Sequence, residues 1–383
     1  MFRPVALAVL FCSAVSFSQT PQAKPVAMQS HQVNADSTIT FRYTAPAATK
    51  VSLSIDASPK QLPMTRDASG VWSVTTPVLA PEFYHYSFYE DGRMRTDPLN
   101  PVFVRNELTP ASVALLAGTP PEPWELTDVP HGRVDHHLYT THIAKNLPQN
   151  QEPYVVYTPP GYDPAHKGGY PVLYLLHGWS DTEFAWTEEG HADAILDRLL
   201  AEGKVVPMIV VMPLGYGDFD FVRQGFKAWH APVKVTDNVD LDGKMLLTEI
   251  APAVEREYNT APGRENRAIA GLSMGGLESL TIGLSHTDQF AWVGAMSSAV
   301  FDATDGMFEG YLPNLGAKKA NLKLLWIACG KTDRLITGNH LFIAWAKTKG
   351  FDPVTVETPG AHTWLTWRDN LVTLAPLLFK SKE

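Results

Sequence analysis

Residues 267–276 read RAIAGLSMGG, and the fold turns on them. The apolar run up to Leu272 has the length and composition of a buried strand, and the segment 275–284 reads as a helix. Between them sits Ser273, flanked by Gly271, Gly275 and Gly276. A strand, a turn rich in small residues and a helix together make a nucleophile elbow. The glycines let the backbone reverse sharply enough to stand the Ser273 hydroxyl above the sheet. The amino terminus of the helix behind it favours developing negative charge.

Outward from this elbow, apolar strands alternate with helical segments. The strands are expected at 154–157, 172–176, 209–212, 268–272, 293–297, 324–328 and 354–357. The helices are expected at 192–201, 241–258, 275–284, 340–349 and 371–379. Such alternation predicts an α/β hydrolase: a mostly parallel sheet sandwiched by helices, with ligands at the carboxyl ends of the strands.

A serine nucleophile needs a base, and the base needs an orienting acid. An elbow fold places them in chain order as Ser, acid, His. Asp333 follows the strand 324–328, and His362 follows 354–357. Each lies one or two strand–helix units beyond the previous member. His362 is expected to take the serine proton while Asp333 holds the imidazole and stabilises its charged form. The backbone N–H of Met274 is the first expected oxyanion donor. The second is expected from the loop after 172–176, at Gly178 or Trp179, where a glycine permits close backbone approach. His177 lies too early in the chain to be the base. It is read as orienting this loop and, with Trp179 and Trp364, as part of the substrate site. Trp186, Trp229 and Trp367 also fall in or near loops of this half, where aromatic walls suit sugar faces or a phenolic ring. Asp218 and Asp220 follow another strand and are read as a loop on the cleft rim. No Walker loop, dinucleotide fingerprint or HExxH motif is present.

The preceding residues follow a different pattern. Short alternating runs at 37–43, 51–55, 71–74 and 82–89 carry no helical period, and Asp91-Gly92 supplies a tight hairpin turn. They predict a small all-β immunoglobulin-like sandwich. In 82–89, Phe83, His85, Ser87 and Tyr89 share one face, and Tyr84, Tyr86 and Phe88 the other. Core packing is the expected role of Trp72 and Tyr84. The first residues read as a secretory signal peptide at 1–18. Arg3 opens it, an apolar run of about 11 residues follows, too short to span a bilayer, and small residues precede a cut before Gln19. The expected organisation is therefore 1–18 signal peptide, 27–115 β-sandwich, 116–131 proline-rich linker and 132–383 hydrolase, in a secreted or periplasmic protein. Cleavage would remove Cys12 and leave Cys329 alone, with no internal disulfide and no thiolate zinc site. No cofactor and no metal are expected. The chain has 383 residues, 45% of them apolar, and a formal charge of −9, which sets it against nucleic acid and anionic membranes as partners.

Several ordered segments carry a resemblance. They are 155–162 (VVYTPPGY), 175–178 (LLHG), 268–276 (AIAGLSMGG) and 360–364 (GAHTW). Over residues 132–379 the chain resembles carbohydrate esterase family one, the feruloyl and acetyl-xylan esterases related to esterase D. The stretch 91–101 (DGRMRTDPLNP) resembles the end of the early-set immunoglobulin-like modules found beside carbohydrate-active enzymes. The resemblance maps the family's nucleophile onto Ser273, its acid onto Asp333 and its base onto His362. Trp179-Ser180-Asp181 departs from the pattern, because a second small residue commonly follows His-Gly. What the resemblance implies is a feruloyl esterase acting on feruloylated or acetylated plant cell-wall polysaccharide or its oligosaccharides. The alternatives are an acetyl-xylan esterase, a siderophore esterase and, last, a non-enzymatic glycan-binding protein. The residues alone reach a secreted serine ester hydrolase.

Overall fold

The computed structural model describes residues 28–300, 307–312 and 315–380. The signal peptide expected at 1–18 lies outside the described residues. The amino-terminal part is all β. One sheet has the strand order His31–Val33, Ile39–Thr44, Val71–Thr75, Thr65–Arg66. The other runs Leu62–Pro63, Val51–Ile55, Glu82–Glu90, Ala111–Leu116, Phe103–Val104, with Arg93–Arg95 also paired to Glu82–Glu90. Their strand pairs are antiparallel, as in a sandwich. Alternation does the sorting: Ile39, Phe41 and Tyr43 enter the core with Leu53, Trp72, Tyr86 and Phe88. The hairpin at Asp91-Gly92 has positive φ at both residues (46° and 83°), the conformation an Asp-Gly pair accepts most readily. Trp72 and Tyr84 are buried and bond their polar atoms to the carbonyls of Ala45 and Ala80. Both are core residues.

The strand Glu82–Glu90 is buried on both faces. Tyr84, Tyr86 and Phe88 fill the sandwich, while Phe83 on the opposite face joins the hydrophobic cluster of the second part. Phe83 meets His191 edge-on at 4.4 Å, and Trp124 from the proline-rich span packs into the same cluster.

The second part is an α/β hydrolase. Its eight strands lie in the order Arg133–Thr140, Gln151–Thr158, Ile209–Pro213, Val172–Leu176, Arg267–Leu272, Trp292–Met296, Leu324–Gly330, Val354–Thr358. Pairs involving the first two strands are antiparallel and the rest parallel. Strands at 172–176, 209–213, 267–272 and 292–296 are buried along their whole length, apart from the first residue of 267–272, as a doubly covered sheet requires.

The helices depart more from expectation. The one expected from 241 begins at Pro232 and runs through a wide π turn at Leu246–Ile250 to Glu257. Proline at the first helical position starts a helix rather than stopping it. The last helix spans Trp364–Leu374, and the residues to Leu377 finish as a 3-10 turn containing Pro376. It therefore begins two residues after His362 and carries Trp364 and Trp367 toward the sheet. Among the described residues no helix is long and apolar enough to cross a membrane.

Candidate active site

Ser273 sits where the strand Arg267–Leu272 meets the helix Met274–Ser285, with φ 53° and ψ −109°. That conformation costs a non-glycine residue about 1–3 kcal/mol and persists only where its surroundings fix it. Here four backbone hydrogen bonds do so. Ser273 N–H donates to Met296, the N–H groups of Ala299 and Leu277 donate to Ser273, and Gly275 N–H donates to His177. Glycine is needed beside it. A Cβ on Gly275 would lie 2.5 Å from the His177 carbonyl oxygen, and one on Gly271 would lie 2.4 Å from that of Gly275.

Three parallel strands deliver the three polar side chains to one end of the sheet. His362 Nε2 lies 3.0 Å from Ser273 Oγ, and His362 Nδ1 lies 2.8 Å from Asp333 Oδ2. Trp367 packs edge-on against the His362 ring at 4.9 Å and limits its rotation. Burial alone would raise the Asp333 carboxyl. The hydrogen bond and charge of His362, with the Leu335 N–H 2.8 Å from Oδ1, outweigh burial and hold it below the ordinary carboxylate range. Asp333 is therefore ionised and accepts from Nδ1, which leaves Nε2 free to receive a proton from Ser273. Beneath it, burial and the Asp333 charge push the Cys329 thiol up to about 12, so it is a neutral packing group and no competing nucleophile.

The expected oxyanion donors belong to the helix start at Met274 and to the loop after Val172–Leu176. Met274 is the first residue of the helix, and its N–H, like that of Trp179, donates to no backbone carbonyl among the described residues. Gly178 packs against the elbow: a Cβ there would lie 2.7 Å from Leu272 and 3.5 Å from Ser273 Cβ.

His177 needs correction as a substrate-binding residue. It is fully buried and does not line the cavity. Its ring nitrogens lie 2.7 Å from the Gly178 carbonyl and 2.5 Å from the Leu214 carbonyl, and burial lowers its pKa to about 4. A neutral imidazole carries one N–H and donates to only one of these two carbonyls, with the ring held between the Gly178 loop and the end of the neighbouring strand.

Ser273 and His362 open into a cavity of about 770 Å³. Trp179, Trp229, Trp364 and Trp367 line it, whereas Trp186 is core, bonded to the Leu176 carbonyl. Trp364 is almost wholly buried and shows the cavity only part of its ring. Asp218 and Asp220 stay outside, where Asp218 accepts from Asn146 and from the Asp220 N–H. Phe226, His230, Arg334, Leu335 and Leu341 complete the wall and carry no motif that the sequence reading could have found. Phe226, from the 3-10 helix Gly225–His230, and Arg334, from the turn after Leu324–Gly330, meet with the guanidinium 5.9 Å from the ring centroid. Among the described residues no group of three His, Cys, Asp or Glu is placed to hold a metal ion.

The β-sandwich holds the loop that follows Gly178 directly. Glu107 N–H donates to the Ser180 carbonyl at 2.7 Å, and Asn106 Nδ2 donates to Asp181 Oδ1 at 2.8 Å and Ser180 Oγ at 3.1 Å. Burial pushes Asp181 up to about 7, against the lowering effect of Asn106 and the Gly178 backbone, and the same burial lifts its neighbour Glu189. A raised folded pKa has a definite sign. Below the ordinary carboxylate pKa both folded and unfolded chains hold the proton; between there and about 7 only the folded chain does. Stability is therefore full in acid and falls as pH rises toward 7. Asp181→Asn keeps the Asn106 contact and removes the proton. Denaturation at pH 5 to 8 is expected to show a pH dependence shallower by about one proton in this variant. An unchanged slope would mean that Asp181 is ionised throughout.

The family model described as "Putative esterase" matches residues 147–378, and that described as "Carbohydrate-binding module 48 (Isoamylase N-terminal domain)" matches 28–100. An endo-1,4-beta-xylanase/feruloyl esterase of Xylanibacter ruminicola is 30% identical over 91% of this chain and 46% of its own length. The chain thus spans about half of that relative. The CE1 ferulic acid esterase of the anaerobic fungus Anaeromyces mucronatus superposes with a TM-score of 0.57 at 25% identity, over 68% of this chain and 96% of that one. The enterobactin esterase of Shigella flexneri has a TM-score of 0.63 at 19% identity, over 89% of this chain and 92% of that one, a likeness of fold.

Proposed function

The chain belongs to the esterase family, and on that premise we propose that it is a serine carboxylic-ester hydrolase that releases hydroxycinnamic acids from feruloylated plant arabinoxylan. The carrying observation is the Ser273–His362–Asp333 chain of hydrogen bonds at the floor of an aromatic-lined cavity. Ser273 Oγ attacks the ester carbonyl carbon while its proton passes to His362 Nε2. The carbonyl π electrons move onto oxygen, which the N–H groups of Met274 and Trp179 receive. Collapse re-forms the carbonyl and breaks the bond to the sugar alcohol, whose oxygen takes the proton back from His362. Water then repeats the sequence on the acyl-enzyme and frees the acid and Ser273. Asp333 keeps its carboxylate throughout and holds Nδ1–H.

The acyl choice is supported by the relatives and by the cavity. Tryptophans and Phe226 present flat apolar faces suited to a phenolic ring. Export to the periplasm or medium is supported by the leader-like composition of residues 1–18 and suits a polymeric substrate. The deciding experiment incubates the full chain with arabinoxylan and quantifies ferulate and acetate. Ferulate release is expected. Acetate alone would move the reading to deacetylation. Release of neither, with a tricatechol macrolactone hydrolysed instead, would replace it with siderophore cleavage.

A further inference from the structure

Arg105, Asn106 and Glu107 of the sandwich each bond to the segment 180–188 that follows Trp179 in the hydrolase. Arg105 Nη1 lies 2.8 Å from Glu188 Oε1, and its guanidinium stands 3.9 Å from the Phe184 ring centroid. Asn106 Nδ2 and Glu107 N–H make the bonds to Ser180 and Asp181 given above. The Asn106 amide has one orientation open to it. Its Oδ1 accepts from the Leu108 N–H at 3.0 Å, the Thr109 N–H at 2.9 Å and the Thr109 hydroxyl at 3.2 Å, so Nδ2 must face the hydrolase. Ser180 needs such a hold. Its φ is 75°, in the left-handed region that a residue with a side chain keeps only where its surroundings fix it. Its N–H donates to the Tyr216 hydroxyl at 2.7 Å, inside the hydrolase, while its carbonyl and hydroxyl are bonded from the sandwich. Trp179, whose N–H is the proposed second oxyanion donor, lies directly before it and lines the active-site cavity. Such a donor stabilises the transition state only if it is already aimed, and a misplacement of about 1 Å can cost ~10²-fold in rate.

We propose that Asn106 is a positioning residue for ester hydrolysis: through Ser180 and Asp181 it fixes the turn that aims the Trp179 N–H at the oxyanion. The inference rests on the serine-hydrolase mechanism with Trp179 as a donor, and it is independent of which acyl group is cleaved. The sandwich then contributes to the rate of the chemical step, as distinct from substrate affinity.

The test uses the full chain and 4-nitrophenyl acetate, which carries neither sugar nor ferulate, with kcat expressed per Ser273 titrated to completion by a fluorophosphonate. Asn106→Leu removes both the clamp and the turn, and is expected to lower kcat and kcat/KM together by about 10–100-fold with KM little changed. The inhibition constant of an aryl trifluoromethyl ketone, whose adduct with Ser273 carries the same oxyanion, is expected to rise by a similar factor. Asn106→Asp keeps the oxygen that accepts in the turn and loses the donor. While its new carboxyl and that of Asp181 share a proton they can still hydrogen-bond; with both ionised they repel. Glu189 and Tyr216, which also lie near Asp181, are common to both proteins, so each rate is compared with wild type at the same pH. The ratio is expected to stay near one at about pH 5 and to fall about tenfold by about pH 8. This variant decides should Asn106→Leu fold poorly. Wild-type kcat per titrated site at every pH, with only stability reduced, overturns the proposal, and so does a rise in KM with kcat unchanged. The predicted losses on the acetate in a chain that releases no ferulate from arabinoxylan uphold it while overturning the feruloyl reading. A wild type with no Ser273-dependent hydrolysis of the acetate overturns the serine-hydrolase mechanism and this inference with it.

Discussion

Replacing Ser273 by Ala is expected to lower kcat for ester hydrolysis by about 10⁴–10⁶-fold with KM little changed. The size follows from how completely the geometry depends on one oxygen. His362 Nε2 has Ser273 Oγ at 3.0 Å and Asp333 behind it at 2.8 Å, so removing the hydroxyl leaves a base with nothing to activate. The proposed oxyanion donors remain, and with substrate binding they account for the residual rate. The aromatic wall does not contain Ser273, which is why KM is expected to hold. Steady-state kinetics on methyl ferulate measures both. A KM rising as far as kcat falls would place Ser273 in binding instead of bond making. Alanine tolerates the positive φ of 53° no better than serine, so the variant should unfold at nearly the wild-type denaturant concentration.

The second large effect is expected far from the chemistry, at Arg368. This guanidinium is fully buried. Nη2 lies 2.5 Å from Glu82 Oε1 of the sandwich, Nη1 lies 2.5 Å from the Glu189 carbonyl, and the Phe83 and Trp124 rings flank it. Burial dominates both partners: it raises Glu82 and lowers Arg368 in spite of their attraction. The pair thus gains little over an apolar replacement, but breaking it strands a buried charge. Arg368→Met is expected to cost about 3–5 kcal/mol, and adding Glu82→Leu is expected to recover most of that. Arg368 follows Trp367, the residue packed against His362, so kcat should fall with the single change and return in the double variant. Urea unfolding and kcat measured on the four members of this cycle check both. Additive losses would show that the two side chains do not interact.

These two residues also show what could be read from sequence and what could not. Ser273, Asp333 and His362 were legible because each stands within four residues of the end of a strand of a parallel sheet, where chain order and local pattern suffice. Most strands were legible for the same reason: Val172–Leu176 and Arg267–Leu272 are nearly continuous apolar runs. The edge strand Arg133–Thr140 was not, because none of its residues is fully buried and its sequence, RVDHHLYT, is largely polar. Arg368 and Glu82 are 286 residues apart, and their contact exists only where the sandwich meets the hydrolase. Phe83 was placed correctly on the face opposite Tyr84, yet nothing local shows that this face meets a second core. The cavity wall at Phe226 and Arg334 comes from loops of unrelated sequence that meet above the sheet. His177 reads as a site residue because it adjoins Gly178, but burial decides its role, and burial depends on the Leu214 loop packed over it.

The most direct test of the account is to trap the covalent intermediate. The full chain is mixed with excess feruloyl ester, quenched in acid within the first turnover, digested and analysed by mass spectrometry. One feruloyl group is predicted on the peptide containing Ser273, accompanied by a burst of alcohol ahead of free ferulate. Free ferulate formed with no burst and no labelled peptide, or a label on any other residue, would contradict it.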